Sequence, residues 1–425
     1  MAQAFFGGVH PHDMKAATNE KAIEQLAPPA VVVIPMSMHF GAPCTPLVKA
    51  GDHVKVGQKI GEFHGLGAPI HASVSGTVKA VEPRPYSMGG NITSVVIEND
   101  MQDEVSEEVQ APADPNALSV EEMVEIVKNA GIVGMGGATF PTHVKITSGI
   151  GKVNTVIING AECEPYITGD HRTMLERPEE IIGGAKFLAK MFGVDKVVIG
   201  VEDNKRNGID AMNKVIAEQK APVVVEPLRC RYPQGGEKQL CQAITGRQVP
   251  PGGLPADIGC AVFNINTTCA IYRALTTGMP VVRKIVTVSG SGVVEPKNLE
   301  CPIGTPVSSL LDACGGLKDG TYKLIAGGPM MGMAQYTADI SVAKGTGAIL
   351  AFCENEEKTV ENPQCIRCGK CVSVCPMHLE PLFMYQYASK GMVEELNDAH
   401  IMDCMECGAC SYICPARMHL THMFK

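Results

Sequence analysis

Eight cysteines near the end of the chain have the types and spacing for electron chemistry. Cys365, Cys368, Cys371 and Cys375, followed by Pro376, recur as Cys404, Cys407, Cys410 and Cys414, followed by Pro415. Each run has the spacing of bacterial ferredoxins, in which three closely spaced thiolates cap three corners of a four-iron cubane and the fourth thiolate serves the other cluster. The spacing therefore predicts two [4Fe–4S] clusters, one held by Cys365, Cys368, Cys371 and Cys414 and the other by Cys404, Cys407, Cys410 and Cys375. A pair of structural zinc sites is the alternative, but zinc favours two ligand pairs parted by a long spacer. The other nine of the 17 cysteines, such as Cys44, Cys230 and Cys353, have no such spacing and read as ordinary core residues.

Three further segments could hold a ligand. The loop Gly131-Ile132-Val133-Gly134-Met135-Gly136-Gly137-Ala138-Thr139-Phe140-Pro141 leads to Lys145, and exposed backbone N–H groups in such a loop suit phosphate. It fits neither the G-x-G-x-x-G dinucleotide pattern after a strand nor a Walker loop. A tight turn under close backbone packing is an equal reading of a bare glycine loop. Asn159-Gly160-Ala161-Glu162-Cys163-Glu164-Pro165 ends an apolar strand, and ligands of open α/β sheets bind at the carboxyl ends of strands. Tyr232-Pro233-Gln234-Gly235-Gly236-Glu237 adds an aromatic and a carboxylate, and Asn264 ends a later strand-like run.

The elements that must position these residues fall into modules. A chain of 425 residues exceeds one core. Short β-rich runs (Ala30–Pro35, Val54–Glu62, Ala72–Val81, Ser94–Glu98) separated by turn signals predict a compact all-β unit within residues 1–110. The acidic stretch Asn99–Pro115 reads as a linker or surface excursion. From Ser119, helical spacing alternates with apolar strands at Thr155–Ile158 and Lys196–Val201, the mark of a parallel-sheet α/β domain over 116–280. Strands at Lys284–Val288 and Tyr322–Ala326 flank a short helix, Val307–Cys314, in a small α+β unit over 281–350. The cysteine array repeats with the 39-residue step from Cys365 to Cys404 in a final domain, 355–425.

Composition closes some alternatives. With 36 Lys and Arg against 45 Asp and Glu, and no basic stripe with interleaved aromatics, nucleic acid is not the expected partner. Metal-ligand spacing without a disulfide framework points to a reducing, cytoplasmic compartment. No signal pattern opens the sequence, and apolar stretches such as Val31–Met36 fall far short of the ~20 residues that cross a bilayer, so any membrane association is expected to be peripheral.

Taken in order, the segments resemble the flavin- and NADH-binding subunit of respiratory complex I. Gly131, Gly134, Gly136, Gly137, Ala138, Phe140, Pro141, Thr142 and Lys145 match its glycine loop, with Val133 and Met135 in place of arginines and Thr139 and His143 in place of glycines. Asn159, Glu162, Glu164 and Pro165 match its Asn-Ala-Asp-Glu-x-Glu-Pro strand end, where Gly160 and Ala161 replace alanine and aspartate. Tyr232, Gly235 and Glu237 match its Tyr-x-x-Gly-Glu-Glu segment, from which Gly236 departs.

Over nearly the whole chain the layout is similar to the C subunit of Rnf-type electron-transport complexes (the RnfC family). That family sets a Rossmann-like flavin domain between an N-terminal β barrel-sandwich and a two-cluster ferredoxin tail. Gly7-Gly8-Val9-His10-Pro11 is similar to its opening. Gly51-Asp52 with Gly57-Gln58 and Ala72-Ser73-Val74-Ser75-Gly76 resembles a biotinyl-type sandwich whose hairpin lacks the lysine that would carry a prosthetic group. Arg283–Gly332 looks like the β-grasp module of both families.

The resemblance implies FMN and NAD(H) bound by Gly134, Gly136, Gly137, Lys145, Asn159, Glu162, Glu164, Tyr232, Gly235, Glu237 and Asn264, with Glu162 and Glu237 in catalytic roles. A hydride carries two electrons and a cluster accepts one, so a flavin must divide the pair. The implied function is a peripheral electron-transfer subunit on the cytoplasmic face of a membrane ferredoxin:NAD+ oxidoreductase that moves Na+ or H+. Its implied partners are the other subunits of that complex, with ferredoxin met indirectly. The rivals are a soluble flavin reductase of the cobalamin-reductase type and a flavin-free scaffold that docks a ferredoxin domain.

Overall fold

The computed structural model describes residues 5–354 and 360–425; the expected domain starts at residues 1 and 355 lie outside them. The β-rich unit forms two sheets. One is four-stranded and antiparallel, in the order Val31–Pro35, Asn91–Asn99, Gly76–Pro85, His53–Val54; the other holds Thr45–Pro46, Lys59–Glu62 and Ile70–His71. Alternating side chains such as Val32, Ile34, Val95 and Ile97 are fully buried inside the unit, as one-sided sheets require. One expected strand is divided between the sheets and another is shortened. Val54–Glu62 breaks at Gly57, whose φ of +84° suits glycine, and the Ala72–Val81 run starts its long strand only at Gly76. At Gly76 (φ +147°) a Cβ would lie 2.0 Å from the Glu98 carbonyl oxygen, so the crossing needs a glycine. The acidic stretch beyond Asn99 is not wholly detached, because Val105 bridges Val56.

The α/β unit carries a parallel four-stranded sheet in the order Val223–Leu228, Val197–Glu202, Thr155–Gly160, Cys260–Asn264. Val156, Ile157, Ile158, Val197, Ile199 and Val201 are wholly buried, the near-continuous apolar character of strands covered on both faces. The register pairs Asn264 with Asn159, so the strand ends that carry them finish side by side.

A third sheet of six strands follows the order Ile23–Gln25, Lys297–Pro302, Arg283–Ser289, Ala348–Cys353, Thr321–Ala326, Met333–Gln335, with the helix Val307–Ala313 on one face. Its edge strand, Ile23–Gln25, comes from the N-terminal arm and runs parallel to Lys297–Pro302. The arm ties the modules together. Gly8 N–H donates to Val374 C=O at 2.8 Å, Val9 and Tyr232 exchange both backbone hydrogen bonds, and Lys21 Nζ donates to Pro296 C=O at 2.8 Å.

The C-terminal unit repeats its backbone as well as its cysteines. Left-handed residues Arg367, Gly369 and His378 (φ +56°, +73°, +57°) recur as Glu406, Gly408 and Arg417 (φ +54°, +75°, +55°). Amide-to-sulfur bonds recur too, Arg367 N–H to Cys365 Sγ at 3.3 Å and Glu406 N–H to Cys404 Sγ at 3.4 Å.

Candidate functional site

The glycine loop is held at both ends and open in the middle. Gly134 N–H donates to Phe140 C=O at 2.9 Å and Thr139 N–H to Gly134 C=O at 3.1 Å, which closes the loop. Val133 and Met135, at the positions where complex I has arginines, are buried apolar side chains, so they offer no charge to a ligand. Gly136, Gly137 and Ala138 are exposed, and their N–H groups donate to no acceptor among the described residues. Gly136 lies against Asn264, where a Cβ would come within 3.2 Å of the asparagine Cβ.

Beside this loop the strand ends bring several expected residues together. Lys145, on the helix Thr142–Gly149, donates to Glu237 Oε1 at 2.6 Å and to Val262 C=O at 3.0 Å. Glu237 opens the helix Glu237–Thr245. Asn159 Nδ2 donates to Gly235 C=O at 2.8 Å, and Gly235 N–H meets Cys163 Sγ at 3.3 Å. A Cβ on Gly235 would press on that sulfur at 3.2 Å, so the two segments approach closely there. Asn264 accepts from Asn266 N–H at 2.9 Å, and its Nδ2 donates to Asp170 Oδ2 at 2.7 Å.

Three expected residues are turned elsewhere. The Glu162 side chain is buried, accepts from Asp170 N–H at 2.6 Å and lies 3.8 Å from Lys15 Nζ, and its backbone has φ +46°. Glu164 Oε2 accepts from Met330 N–H at 3.1 Å, under the loop that begins Gly327-Gly328; burial pushes its carboxyl up to about 7. Tyr232 is buried in a cluster with Val9, Cys407 and Ala409, and its hydroxyl donates to Cys407 C=O at 2.7 Å. It couples the strand-end segment to the ferredoxin unit. Glu162 Oε2 and Glu164 Oε1 are buried without a hydrogen-bond partner among the described residues.

Sequence reasoning missed the cations behind these loops. Lys15 Nζ donates to the carbonyls of Glu162 and Glu164, each at 2.9 Å, and of Ile167. Lys284 Nζ donates to Met135 C=O at 3.1 Å, and Lys344 Nζ to Gly131 C=O and Pro69 C=O, each at 2.7 Å. Burial pushes Lys284 down to about 8 and Lys344 to about 7. Asp170 is pushed up to about 6 by burial and then by Glu162. No motif marks these residues; Asn266, two places after Asn264 and 2.5 Å from Asp170 Oδ1, was the nearest local signal.

In the C-terminal unit one cavity of about 320 Å³ is lined by Cys365, Cys368, Cys371 and Cys414, and a second, far smaller at about 20 Å³, by Cys375, Cys404, Cys407 and Cys410. Among the described residues no three His, Cys, Asp or Glu side chains converge on a point as they would around a single ion. Four thiols around a void suit a cubane. The flavin residues also pass the test of fit, since free loop N–H groups beside the Lys145 ammonium are what a phosphorylated ligand requires.

Family models match along the same order. The RnfC Barrel sandwich hybrid domain matches residues 3–102, the Nuo51 FMN-binding domain 127–273, the SLBB domain 285–334 and the 4Fe-4S dicluster domain 358–415. Fold and site together define an iron–sulfur flavoprotein of multidomain α/β and α+β architecture. The C subunit of the Na(+)-translocating ferredoxin:NAD(+) oxidoreductase complex of Acetobacterium woodii is 46% identical over 401 residues, 94% of this chain and 90% of the relative. The proton-translocating counterpart of Clostridium ljungdahlii is 43% identical, covering 94% and 88%. The C subunit of the ion-translocating oxidoreductase complex of Rhodobacter capsulatus is 41% identical, covering 99% and 81%. The chain belongs to this family, the C subunits of ion-translocating ferredoxin:NAD+ oxidoreductase complexes. A chain of the NAD+-reducing [NiFe]-hydrogenase in the H2-reduced state shares the fold, with a TM-score of 0.51 and 18% identity over 70% of this chain and 60% of that one.

Proposed function

We propose that the chain passes electrons between NAD(H), FMN and two [4Fe–4S] clusters as a peripheral subunit of a membrane ion-translocating ferredoxin:NAD+ oxidoreductase. The observation that carries the reading is the Tyr232 hydroxyl on the Cys407 carbonyl, which packs a residue of the flavin-site segment against a cysteine of one cluster set. When bound, FMN supplies the conversion between two-electron hydride and one-electron cluster chemistry. Lys145 and the free N–H groups of Gly136 and Gly137 would hold phosphate, aided by the turn at Gly134. Asn159, Gly235 and Asn264 would fix the polar edge of the ring, and Glu237, beside Lys145, would orient the nicotinamide. Glu162 and Glu164 line the underside as buried acceptors, Glu162 set by Lys15 and Glu164 by the loop at Met330. The eight cysteines would hold the clusters in the two sets that line the cavities. The module boundaries proposed are 1–110, 116–280, 281–350 and 355–425, which enclose the four family matches.

No helix among the described residues is long and apolar enough to cross a membrane, in keeping with peripheral attachment; the side proposed is the cytoplasmic face. Anaerobic purification with iron, sulfide and flavin analysis, followed by NADH addition, tests the reading. About eight irons per chain, bound FMN and bleaching of both chromophores are expected. Full iron without flavin or an NADH response would leave only the ferredoxin tail.

A further inference from the structure

The two peptides that flank the Met135 Cα are each held. The Met135 N–H donates to Thr267 Oγ1 at 2.9 Å, and its carbonyl accepts from Lys284 Nζ at 3.1 Å. Thr267 and Lys284 are both buried, and Lys284 comes from the strand Arg283–Ser289 of the six-stranded sheet, outside the α/β unit. In a planar trans peptide the C=O of one residue and the N–H of the next point in opposite directions. A carbonyl drawn inward to the Lys284 ammonium therefore sends the Gly136 N–H outward. That N–H belongs to an exposed residue and makes no hydrogen bond among the described residues. Gly131, at the start of the same loop, has its carbonyl held by Lys344 at 2.7 Å.

Resting on the reading above that phosphate lies on the glycine loop, we propose that Lys284 is a positioning residue for phosphate recognition. It holds the Met135–Gly136 peptide through the Met135 carbonyl while Thr267 holds the preceding peptide through the Met135 N–H, and together they fix the Met135 backbone so that the Gly136 N–H faces the ligand. The cation polarises the Met135–Gly136 peptide, which strengthens the N–H as a donor to an anion. Its place behind the loop explains how Met135 can stand where complex I has an arginine: positive charge reaches the loop through the backbone. Asp170, which also binds Asn264 and Asn266, lies near enough to Lys284 to influence it, so the same lysine steadies the asparagine packed on Gly136.

Phosphate here could be the monoester of FMN or the pyrophosphate of NAD(H), and the test separates them. The full chain with its clusters, stripped of flavin, is titrated with FMN, with riboflavin, which lacks the phosphate, and with NADH. Lys284→Met is expected to weaken FMN binding about tenfold to hundredfold, the worth of a well-aligned hydrogen bond to a charged group, with riboflavin unchanged within about twofold. Lys284→Arg restores most of the affinity because it keeps the charge. Thr267→Val, nearly isosteric, removes the other arm of the lock and gives the same split between FMN and riboflavin even if Lys284→Met fails to fold. If FMN affinity holds while NADH weakens by that factor, the positioning stands and its phosphate is the dinucleotide's. FMN and riboflavin weakening in parallel, or no change with any ligand, overturns the inference. A wild-type chain that binds neither FMN nor NADH would sink the function proposed above and this inference with it, whereas wild-type binding without the split sinks this inference alone.

Discussion

Replacing Lys15 by Met should loosen the turn from Glu162 to Ile167 far more than a surface substitution would. The ammonium lies 3.8 Å from Glu162 Oε2, with side chains only 5% and 4% exposed. At an effective dielectric of ~20, Coulomb's law gives roughly 4 kcal/mol for that separation. The net worth of the pair is smaller, because burial lowers the Lys15 pKa and raises that of Glu162, each toward its neutral form. Removing one partner is costlier than the pair is worth. The carboxyl loses its counter-charge and the carbonyls of Glu162, Glu164 and Ile167 lose their shared donor, a loss of about 3–5 kcal/mol for a broken buried pair. Unfolding of a chain with several modules is not a two-state process, so the assay is local. The Tyr166 amide, which donates to Asp13 C=O at 2.8 Å, reports whether the arm stays docked. Its hydrogen exchange in Lys15→Met should rise roughly 10²–10⁴-fold if opening becomes easier by that energy. Lys15→Met with Glu162→Gln should recover part of the loss. A change below about threefold would refute the claim that Lys15 holds this turn.

Three other outcomes follow from the geometry. Glu300 is pushed up by burial but pulled down to about 2 by Arg177, Gln25 and Arg273. With a folded pKa below the unfolded one, its stabilisation, about 3 kcal/mol from the shift, is present above pH 4.5 and lost below it. The melting-temperature gap between wild type and Glu300→Gln should therefore narrow from pH 6 to pH 3.5, and a constant gap would contradict this account. Cys375→Ser should disturb the cluster of Cys404, Cys407 and Cys410 while the other set keeps its electron-paramagnetic signal; loss confined to the Cys365 set would reverse the crossed assignment. Gly328→Ala places a Cβ 2.3 Å from Glu164 Oε2, so it should displace the loop at Met330 and weaken flavin retention, measured as flavin per chain after gel filtration.

The parts legible in the sequence were those written locally. The cysteine runs state their chemistry in fifty residues, and the apolar strands of the parallel sheet announce burial on both faces. Residues whose partners are distant in sequence were not legible. Ile23–Gln25 is three residues long and becomes a strand only because Lys297–Pro302 offers it an edge. Lys15, Lys284 and Lys344 look like any surface lysine, and what buries them is a set of carbonyls supplied by loops of other modules. Tyr232 reads in the sequence as a ligand-side aromatic, yet a buried hydroxyl must find an acceptor, and the one in reach belongs to Cys407. The split of Val54–Glu62 between two sheets turns on one positive φ at Gly57, which the alternation of apolar residues does not encode.

The N-terminal arm also sets a timetable. During synthesis Gly8 leaves the ribosome 366 residues ahead of Val374, the residue whose carbonyl its N–H binds. At about 5–20 residues per second the arm waits roughly 20–70 s for its last partner, with Val9 not yet packed against Cys407 and Ala409. It is thus made long before the ferredoxin unit and is among the last segments to settle. A nascent chain halted before the ferredoxin unit should carry a protease-sensitive arm, and completion of the cysteine repeats should be what closes it.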